Sequence, residues 1–419
     1  EEEKIKLIIN GECELEESYG LIKKMGDTYS IDIADLFIMQ SDCDNSVKIM
    51  RSTESINSSR VYNRLNRERI NSPYYEYRDT AMSAMSPFKP EWIKQLRVVN
   101  DNDPLNPDVI YNNGHFMHQT TFFVGPVNFY YEINGKKFCE EMNTGDSNYI
   151  TPYWPHSFAS RDKSQETFIL AITYGADVRR AQKELYELGS RSKDYILEIR
   201  NRNKAIRSLI KQHMMNEHMK IHHMKKIADE KSISINLEEI IFGNKKIELE
   251  NLKNIAVLLN IELTDLLIST YNPEEEVVIN KSHEKNKYFF PDKNNPSYKI
   301  EPLARAVKMP LMKSFLIEIL TENLENNLIS SLHTYIYNYG DSDVLISWNV
   351  DGKNYNNTIK KNDSLYMQPF VNHGFSCENS NGKLLIVRVS GSVNITTQKE
   401  MSYFANTDRF FNETECWFN

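Results

Sequence analysis

The chain has 419 residues, of which 40% are hydrophobic, and its formal net charge at pH 7 is −8. This length allows two or more domains with ordinary globular cores, while the negative charge argues against nucleic-acid binding through bulk charge. No apolar run approaches the length of a membrane span, no secretory signal is visible at the start, and the five cysteines are scattered singly. We therefore expect a cytoplasmic protein with reduced cysteines and no membrane partner.

The first predicted unit, residues 1–50, is a partial helix-turn-helix bundle. Its apolar residues recur at helical spacing, and the pattern from Lys23 to Leu36 is repeated from Lys253 to Leu266. The later copy, residues 219–270, reads as complete, whereas the first copy begins partway through. We therefore expect the natural protein to carry further helical residues before Glu1.

A β-rich unit follows at residues 51–175 and contains a candidate metal site. The segment His115-Phe116-Met117-His118-Gln119 leads into a predicted strand that stops at Gly125-Pro126. Side chains alternate between the faces of a strand, so His115 and Gln119 share one face and His118 takes the other. A later predicted strand ends at Pro155-His156.

Two histidines and a carboxylate on one face commonly hold iron in non-haem oxygenases, and His115, Gln119 and His156 would form such a set with an amide as third ligand. The alternative reading is that these histidines are hydrogen-bonded core residues. The residues alone leave both readings open.

The β-rich unit is repeated after a helical connector at residues 176–218 and the second bundle. The pattern from Asp146 to Phe158 recurs from Asp363 to Phe375, displaced by 217 residues throughout. His333 lies one residue out of register with the first-strand histidine, and Tyr337, a poor iron ligand, takes the position of Gln119. We therefore predict that the second barrel, residues 271–419, keeps the shape and loses the metal, with a metal held by His333 and His373 as the alternative.

These elements predict an α+β protein built as a tandem repeat of a helix-turn-helix bundle plus a cupin (double-stranded β-helix) barrel. A helix-turn-helix unit also suggests DNA binding. However, Glu1, Glu2 and Glu3 in the first bundle and Glu238 and Glu239 in the second have the wrong charge to face phosphates, so no nucleic acid is expected as a partner.

Over nearly its whole length the chain resembles the iron-dependent phosphonate oxygenases. The family motif Asn-x-x-His-x-x-x-(Glu or Gln) is matched by Asn112, His115 and Gln119, and its second histidine by His156. This resemblance implies that His115, Gln119 and His156 hold Fe(II). It also implies that a phosphonate is held by an arginine, a tyrosine and the motif asparagine, which here match Arg69, Tyr77 and Asn112.

Family members also use a lysine from a helix-turn-helix unit, donated across a domain or subunit interface. Lys220 lies near the matching place in the second bundle, so the tandem chain could supply it as an intrachain pseudo-dimer, and a homo-oligomer is the other arrangement. A simply solvated lysine is an equally good reading of Lys220.

The glutamine discriminates within the family. Some members take a carboxylate from the position of Gln119, and others take it six residues before the second histidine, where this chain has Ile150. The absence of both carboxylates is similar to the branch that converts 2-hydroxyethylphosphonate and O2 to methylphosphonate and bicarbonate or CO2, with no 2-oxoglutarate or external reductant. The alternatives are the branch that forms hydroxymethylphosphonate and formate, and a non-catalytic regulator whose cupin senses a small anion.

Overall fold

The computed structural model of the chain describes residues 2–29, 31–36, 41–86, 88–175, 178–269, 271–284, 286–379 and 381–418. Within these ranges the helices are α1 (Glu2–Ile9), α2 (Leu15–Tyr29), α3 (Ser52–Asn57), α4 (Val178–Leu188), α5 (Arg202–Asn216), α6 (Ile221–Glu230), α7 (Leu237–Phe242), α8 (Leu249–Leu259), α9 (Ile395–Ser402) and α10 (Thr407–Phe418). None of these helices is both long enough and apolar enough to cross a bilayer.

The strands fall into two groups along the chain. The first group is β1 (Val47–Met50), β2 (Arg60–Leu65), β3 (Asn71–Asp79), β4 (Lys89–Gln95), β5 (His118–Val124), β6 (Val127–Ile133), β7 (Lys136–Met142), β8 (Ser147–Ile150), β9 (His156–Ser160) and β10 (Phe168–Tyr174). The second group is β11 (Val277–Asn280), β12 (Tyr288–Phe290), β13 (Tyr298–Pro302), β14 (Met312–Ile319), β15 (His333–Asn338), β16 (Val344–Val350), β17 (Lys353–Ile359), β18 (Ser364–Met367), β19 (Asn372–Ser376) and β20 (Lys383–Val389).

Each half contains one seven-stranded and one three-stranded antiparallel sheet. The orders are β11-β8-β5-β10-β4-β3-β2 and β7-β6-β9 in the first half, and β1-β18-β15-β20-β14-β13-β12 and β17-β16-β19 in the second. In the first half the two sheets face each other, with Phe123 packed against Phe129 and Phe158. Within the described residues the sheets do not join into a closed barrel, so the mixed helix-and-sheet class is confirmed at the level of two facing antiparallel sheets per half.

Each half lends a strand to the other. Strand β1 precedes the first half but pairs with β18, and β11 pairs with β8 of the first half. Linear boundaries at residues 50 and 271 do not describe this exchange.

The repeated Asp-Ser pair anchors the exchanged segments. The buried carboxylate of Asp146 accepts a hydrogen bond from the Ser282 N–H at 2.8 Å, and that of Asp363 accepts one from the Ser52 N–H at 2.7 Å. Ser147 and Ser364, the next residues, accept backbone N–H donors in the same way. The repeated Asp-Ser pair in the sequence therefore marks the residues of each half that accept hydrogen bonds from the exchanged segments.

The halves also share one apolar core. The outer face of one seven-stranded sheet, including Trp92 and Tyr149, packs against that of the other, including Tyr337 and Leu385. The rings of Trp92 and Tyr337 lie 5.9 Å apart. Such burial of large side chains holds the two halves in one body.

The second helical bundle is built from α5 to α8 and the 3-10 turn Leu263–Leu266. Helix α5 contributes Ile206, Ile210 and Met214 to the core of the bundle. The bundle thus includes residues 202–216, which the sequence analysis assigned to the connector. In the first bundle, the turn Ile33–Leu36 follows α2 as Leu263–Leu266 follows α8.

Candidate metal and substrate site

A cavity of about 260 Å³ opens between the sheets of the first half. Five of the seven site residues predicted from the sequence line it, and Arg64 lines it as well. The lining includes His115, Gln119, His156, Asn112, Tyr77 and Arg64.

His115 and Gln119 direct two lone pairs toward each other. The Nδ1 atom of His115 lies 2.8 Å from the carbonyl oxygen of Met117, so Nδ1 carries the proton and Nε2 is left with a lone pair. The Gln119 amide donates to Oγ1 of Thr121 at 2.9 Å, which turns its carbonyl oxygen toward His115. The His115 Nε2 and Gln119 Oε1 atoms are 3.1 Å apart, and in the neutral tautomer with the proton on Nδ1 neither can donate to the other.

His156 is fixed in the same tautomer. Its Nδ1 donates to the carbonyl oxygen of Trp154 at 2.9 Å, and the Asn112 amide nitrogen lies 3.0 Å from Nε2. The imidazole rings of His115 and His156 are 5.2 Å apart. Burial lowers the pKa of His156 to about 4, so the ring is neutral at physiological pH and keeps its lone pair.

These donors fit a divalent metal. Two neighbouring ligands that are each about 2.1 Å from a metal lie about 3 Å apart, as the His115 and Gln119 atoms do. A cation between them would satisfy two acceptors that otherwise oppose each other. The described residues contain no group of three or more His, Cys, Asp or Glu side chains placed to hold a metal. The candidate ligands His115, Gln119 and His156 do not form such a group because Gln119 contributes an amide.

The backbone before β5 departs from the sequence prediction. The strand begins at His118, so His115 precedes it and is held by the local hydrogen bond to Met117. Gly114 has a φ of +72°, and a Cβ there would lie 2.5 Å from the backbone of Tyr153. Only glycine therefore permits the close approach that brings His115 to the cavity. The prediction that His118 faces away is confirmed, because its Nδ1 lies 2.7 Å from the Tyr149 hydroxyl.

The structure brings Arg64, and not Arg69, to the cavity. Arg69 lies in the β2–β3 turn with a φ of +61°, and its side chain is exposed. The register between β2 and β3 shifts between Tyr62 and Asn63, where Tyr74 is the extra residue on β3. Alternation along β2 therefore places Arg64 on the face of Tyr62, whose ring packs against Tyr77 of the cavity. The guanidinium of Arg64 lies over the rings of Tyr74 and Tyr75, at 4.9 and 5.1 Å from their centroids. The only sequence signal for this residue was its place in the arginine-rich stretch that also contains Arg69.

Tyr77 and Asn112 line the cavity as expected. Burial raises the pKa of Tyr77 to about 12, so its hydroxyl is a neutral donor at physiological pH. The carbonyl oxygen of the Asn112 side chain accepts from the N–H groups of Gly114 and His156, both at 2.9 Å. Asn112 thus ties the two histidine-bearing segments together.

Lys220 is not brought to this cavity. It precedes α6 in the second bundle, and its side chain is exposed beside Met219 and Ile221. Within the described residues, the cationic group at the cavity is that of Arg64.

Glu276 of the second half supports the site and was missed in the sequence. Its carboxylate accepts hydrogen bonds from Nε1 of Trp154 at 2.7 Å and from Oγ1 of Thr151 at 2.5 Å. The carbonyl of Trp154 in turn orients His156. Burial opposes ionisation of Glu276, but hydrogen bonds from Thr151, Trp154 and Tyr271 outweigh it and lower its pKa. No local motif marks this residue, because its role depends on the strand exchange that brings β11 next to β8.

No family model matches the chain. It is 40% identical to methylphosphonate synthase from Nitrosopumilus maritimus (strain SCM1), over 100% of this chain and 90% of the relative. The chain belongs to the methylphosphonate synthase family.

Solved structures agree with this assignment. Streptomyces albus HEPD, solved with 2-hydroxyethylphosphonate and Fe(II) bound, matches with a TM-score of 0.86 and 28% identity, over 98% of this chain and 90% of that one. A second 2-hydroxyethylphosphonate dioxygenase structure matches with a TM-score of 0.72 and 15% identity, over 92% of this chain and 88% of that one. The second likeness speaks for the fold alone.

The second half of this member of the methylphosphonate synthase family does not repeat the triad. His333 corresponds to His118 and not to His115, because its Nδ1 contacts the Tyr366 hydroxyl at 2.6 Å and it is paired with Val389 as His118 is with Tyr174. The sequence alignment of His333 with the first-strand histidine was therefore out of register, and the position of Gln119 is taken by Thr334 and not by Tyr337. His373 keeps the place of His156, but the described part of the chain does not bring His333 to it.

Proposed function

We propose that the chain is a methylphosphonate synthase that uses Fe(II) to convert 2-hydroxyethylphosphonate and O2 to methylphosphonate and bicarbonate. In this reaction the carbon–carbon bond breaks, the phosphonate carbon gains a hydrogen, and the hydroxyl-bearing carbon is oxidised to bicarbonate. The two halves would each be a helical bundle plus a cupin barrel, with the metal in the first barrel.

The observation that carries this proposal is the pairing of Gln119 with Ile150. The two residues lie directly across from each other on β5 and β8, and both are buried. They occupy the two positions at which relatives of the family supply a carboxylate ligand, and neither is a carboxylate here. The amide leaves the site one unit more positive than a carboxylate would, which favours an anionic substrate.

His115, Gln119 and His156 would hold the iron, which would supply binding sites for substrate and O2 and relay electrons from the substrate to O2. Both imidazoles place Nδ1 against a backbone carbonyl and present Nε2 to the cavity. The lowered pKa keeps the His156 ring neutral, so its Nε2 need lose no proton before the metal binds. Amide coordination by Gln119 would remove the opposition between its Oε1 and the His115 lone pair.

The phosphonate would lie toward Arg64, Tyr77 and Asn112. Arg64 supplies the positive charge, and the neutral Tyr77 hydroxyl supplies a donor that fixes orientation. The Asn112 amide nitrogen, now 3.0 Å from His156 Nε2, becomes free for a substrate oxygen once Nε2 binds the metal. This assignment gives Arg64 the role that the family resemblance implied for Arg69.

Oxygen uptake tests the proposal. The protein is loaded with Fe(II) anaerobically and then mixed with O2 in an oxygen electrode, with and without 2-hydroxyethylphosphonate. We expect substrate-dependent uptake of one O2 per phosphonate consumed, and none with His115→Ala. Uptake that does not depend on the phosphonate would overturn the proposal.

Formation of hydroxymethylphosphonate and formate is the second candidate, favoured by the likeness to Streptomyces albus HEPD. It predicts the same O2 uptake but a different phosphorus product. A DNA-binding regulator has less support. Helix α7 presents Glu238 and Glu239 in its first turn, and Glu238 is paired with Lys225. Such a regulator would show no O2 uptake.

A further inference from the structure

The second half carries a row of side chains that is equivalent to the metal-bearing row of the first half. In the first half the row crosses four neighbouring strands as Lys89, Thr173, Gln119 and Ile150. In the second half the equivalent row reads Lys313, Arg388, Thr334 and Met367. Arg388 thus replaces Thr173 beside the former ligand position.

The face of β20 that carries Arg388 is the one directed into the second half. Because side chains alternate along a strand, Arg388 shares its face with Leu384 and Ile386. Both of these residues are buried in the apolar core of the second half. Arg388 therefore points toward the space between the two sheets, as Thr173 does in the first half.

Among the described residues, Arg388 has no anionic partner. Its Nε atom is buried without a hydrogen bond, and its guanidinium lies 5.1 Å from the centroid of the Phe315 ring. Burial lowers the pKa of Arg388 to about 10. Lys313 lies directly across from it, and in the described ranges no carboxylate forms an ion pair with either cation. A partly buried cation without a counter-charge, such as Arg388, is costly to keep because burial removes water that would solvate it.

A second polar group in this half also lacks a partner. His373 is 1% exposed, its Nδ1 donates to the Val371 carbonyl at 2.9 Å, and its Nε2 is buried with no hydrogen bond. In the first half the Asn112 amide serves the corresponding Nε2 atom. Leu328 takes that backbone position in the second half, where its N–H donates to the His373 carbonyl at 2.9 Å, and its side chain offers nothing to the ring. With Leu328 in the place of Asn112, the Nε2 atom of His373 is left as an acceptor that faces the interior.

We propose that the second half binds a small tetrahedral oxyanion, a phosphate or a phosphonate, between Arg388 and His373, with Lys313 and Thr334 beside it. Arg388 and Lys313 neutralise the charge, and a protonated oxygen of the anion donates to the lone pair of His373 Nε2. The anion takes the place that the metal takes in the first half. The two repeats thereby hold charges of opposite sign at equivalent positions.

Phosphate binding to the full chain tests the proposal. To weaken binding at the first cavity, the measurement starts from Arg64→Met and compares it with Arg64→Met/Arg388→Met by equilibrium dialysis of inorganic phosphate. We expect Arg64→Met to retain saturable binding and the double variant to bind at least about tenfold more weakly, since a charge-assisted contact is lost. Equal affinities, or no saturable binding to Arg64→Met, would overturn the proposal.

Folding is controlled by thermal unfolding and by a conservative variant. We expect phosphate to raise the unfolding temperature of Arg64→Met and of Arg64→Met/Arg388→Lys, but not of Arg64→Met/Arg388→Met. If the methionine variant fails to fold, loss of the phosphate response in Arg64→Met itself would still refute the site. Competition by 2-hydroxyethylphosphonate for the bound phosphate would assign a phosphonate, whereas its failure to compete would assign inorganic phosphate.

Discussion

The Nε2 atom of His115 and the Oε1 atom of Gln119 lie 3.1 Å apart, and with the His115 proton on Nδ1 both are hydrogen-bond acceptors. Each is held in this state by a separate contact, His115 by the Met117 carbonyl and Gln119 by the Thr121 hydroxyl. An arrangement that is unfavourable for two neutral groups becomes favourable when a cation lies between them. The Gln119 amide is therefore oriented to bind a metal before any metal is present.

Gln119 variants test this role. We expect Gln119→Ala to weaken Fe(II) binding by about tenfold or more, since one of three protein ligands is lost, and Gln119→Glu to retain or tighten it. Both are measured by anaerobic Fe(II) titration, together with turnover, which Gln119→Glu should alter in rate or product ratio. Unchanged iron affinity and turnover in Gln119→Ala would mean that Gln119 is not a ligand.

A carboxylate at position 150, directly across from Gln119, is expected to rescue Fe(II) binding. Directly opposed residues on antiparallel strands have Cβ atoms about 5 Å apart, so a carboxylate at position 150 can reach the space that Gln119 serves. We expect Ile150→Glu to restore Fe(II) binding in the Gln119→Ala background, whereas Ile150→Leu should not. Failure of both double variants to bind iron, with folding intact by circular dichroism, would argue against a shared metal position.

Arg64 and Arg69 form a matched pair for substrate binding. We expect Arg64→Met to raise KM for 2-hydroxyethylphosphonate by about 10- to 100-fold, which is the value of a charge-assisted contact, and Arg69→Met to change it little. Steady-state O2 uptake measures both. The reverse result would restore the role that the resemblance implied for Arg69.

Glu276 is expected to position the site from the other half. We expect Glu276→Gln to lower Fe(II) affinity by about tenfold, because Trp154 loses an ionised acceptor and His156 loses its fixed orientation. Glu274→Gln, an exposed change nearby, serves as the control. Equal Fe(II) affinities for the two variants would remove Glu276 from the site.

The wild type and Glu276→Gln also differ in how their stability depends on pH. Because the pKa of Glu276 is lowered in the folded state, its stabilising contribution is present above the ordinary carboxyl range and is lost as the pH falls through it. The difference in unfolding free energy between the wild type and Glu276→Gln should therefore stay constant from about pH 7 to about pH 5 and shrink as the pH falls further. A difference that grows on acidification would contradict this sign.

Asp363 should hold the halves together. Its buried carboxylate accepts from the Ser52 N–H and from Nη1 of Arg51, which is part of the exchanged segment. We expect Asp363→Ala to lower the free energy of unfolding by about 3 kcal/mol, since these donors lose their acceptor. Asp341→Ala, which removes an exposed ion pair with Lys361, should produce no measurable change in urea denaturation.

The sequence was sufficient for features that depend on local spacing. The periodicity of β5 placed Gln119 and His118 on opposite faces, and the repeat around Asp146 and Asp363 predicted two related β-rich units. Motif matching brought Asn112, His115 and His156 to one cavity. These inferences succeed because alternation and turn chemistry act over a few residues.

The remaining features depend on irregularities or on contacts distant in the chain. Arg69 falls in the exposed turn between β2 and β3 whereas Arg64 lies on β2, and no spacing rule marks which of the two arginines reaches the cavity. Glu276 reaches Trp154 only because strands are exchanged between the halves. The register of His333 depends on its pairing with Val389, because the offset between the halves is 217 residues at Tyr149 and Tyr366 but 215 at His118 and His333.

Product analysis with labelled substrate tests the central claim most directly. The Fe(II)-loaded protein is given O2 and 2-hydroxyethylphosphonate that carries carbon-13 at the hydroxyl-bearing carbon, and both phosphorus and carbon NMR are recorded. We predict methylphosphonate as the phosphorus product, with the label in bicarbonate. Hydroxymethylphosphonate together with labelled formate would contradict the account.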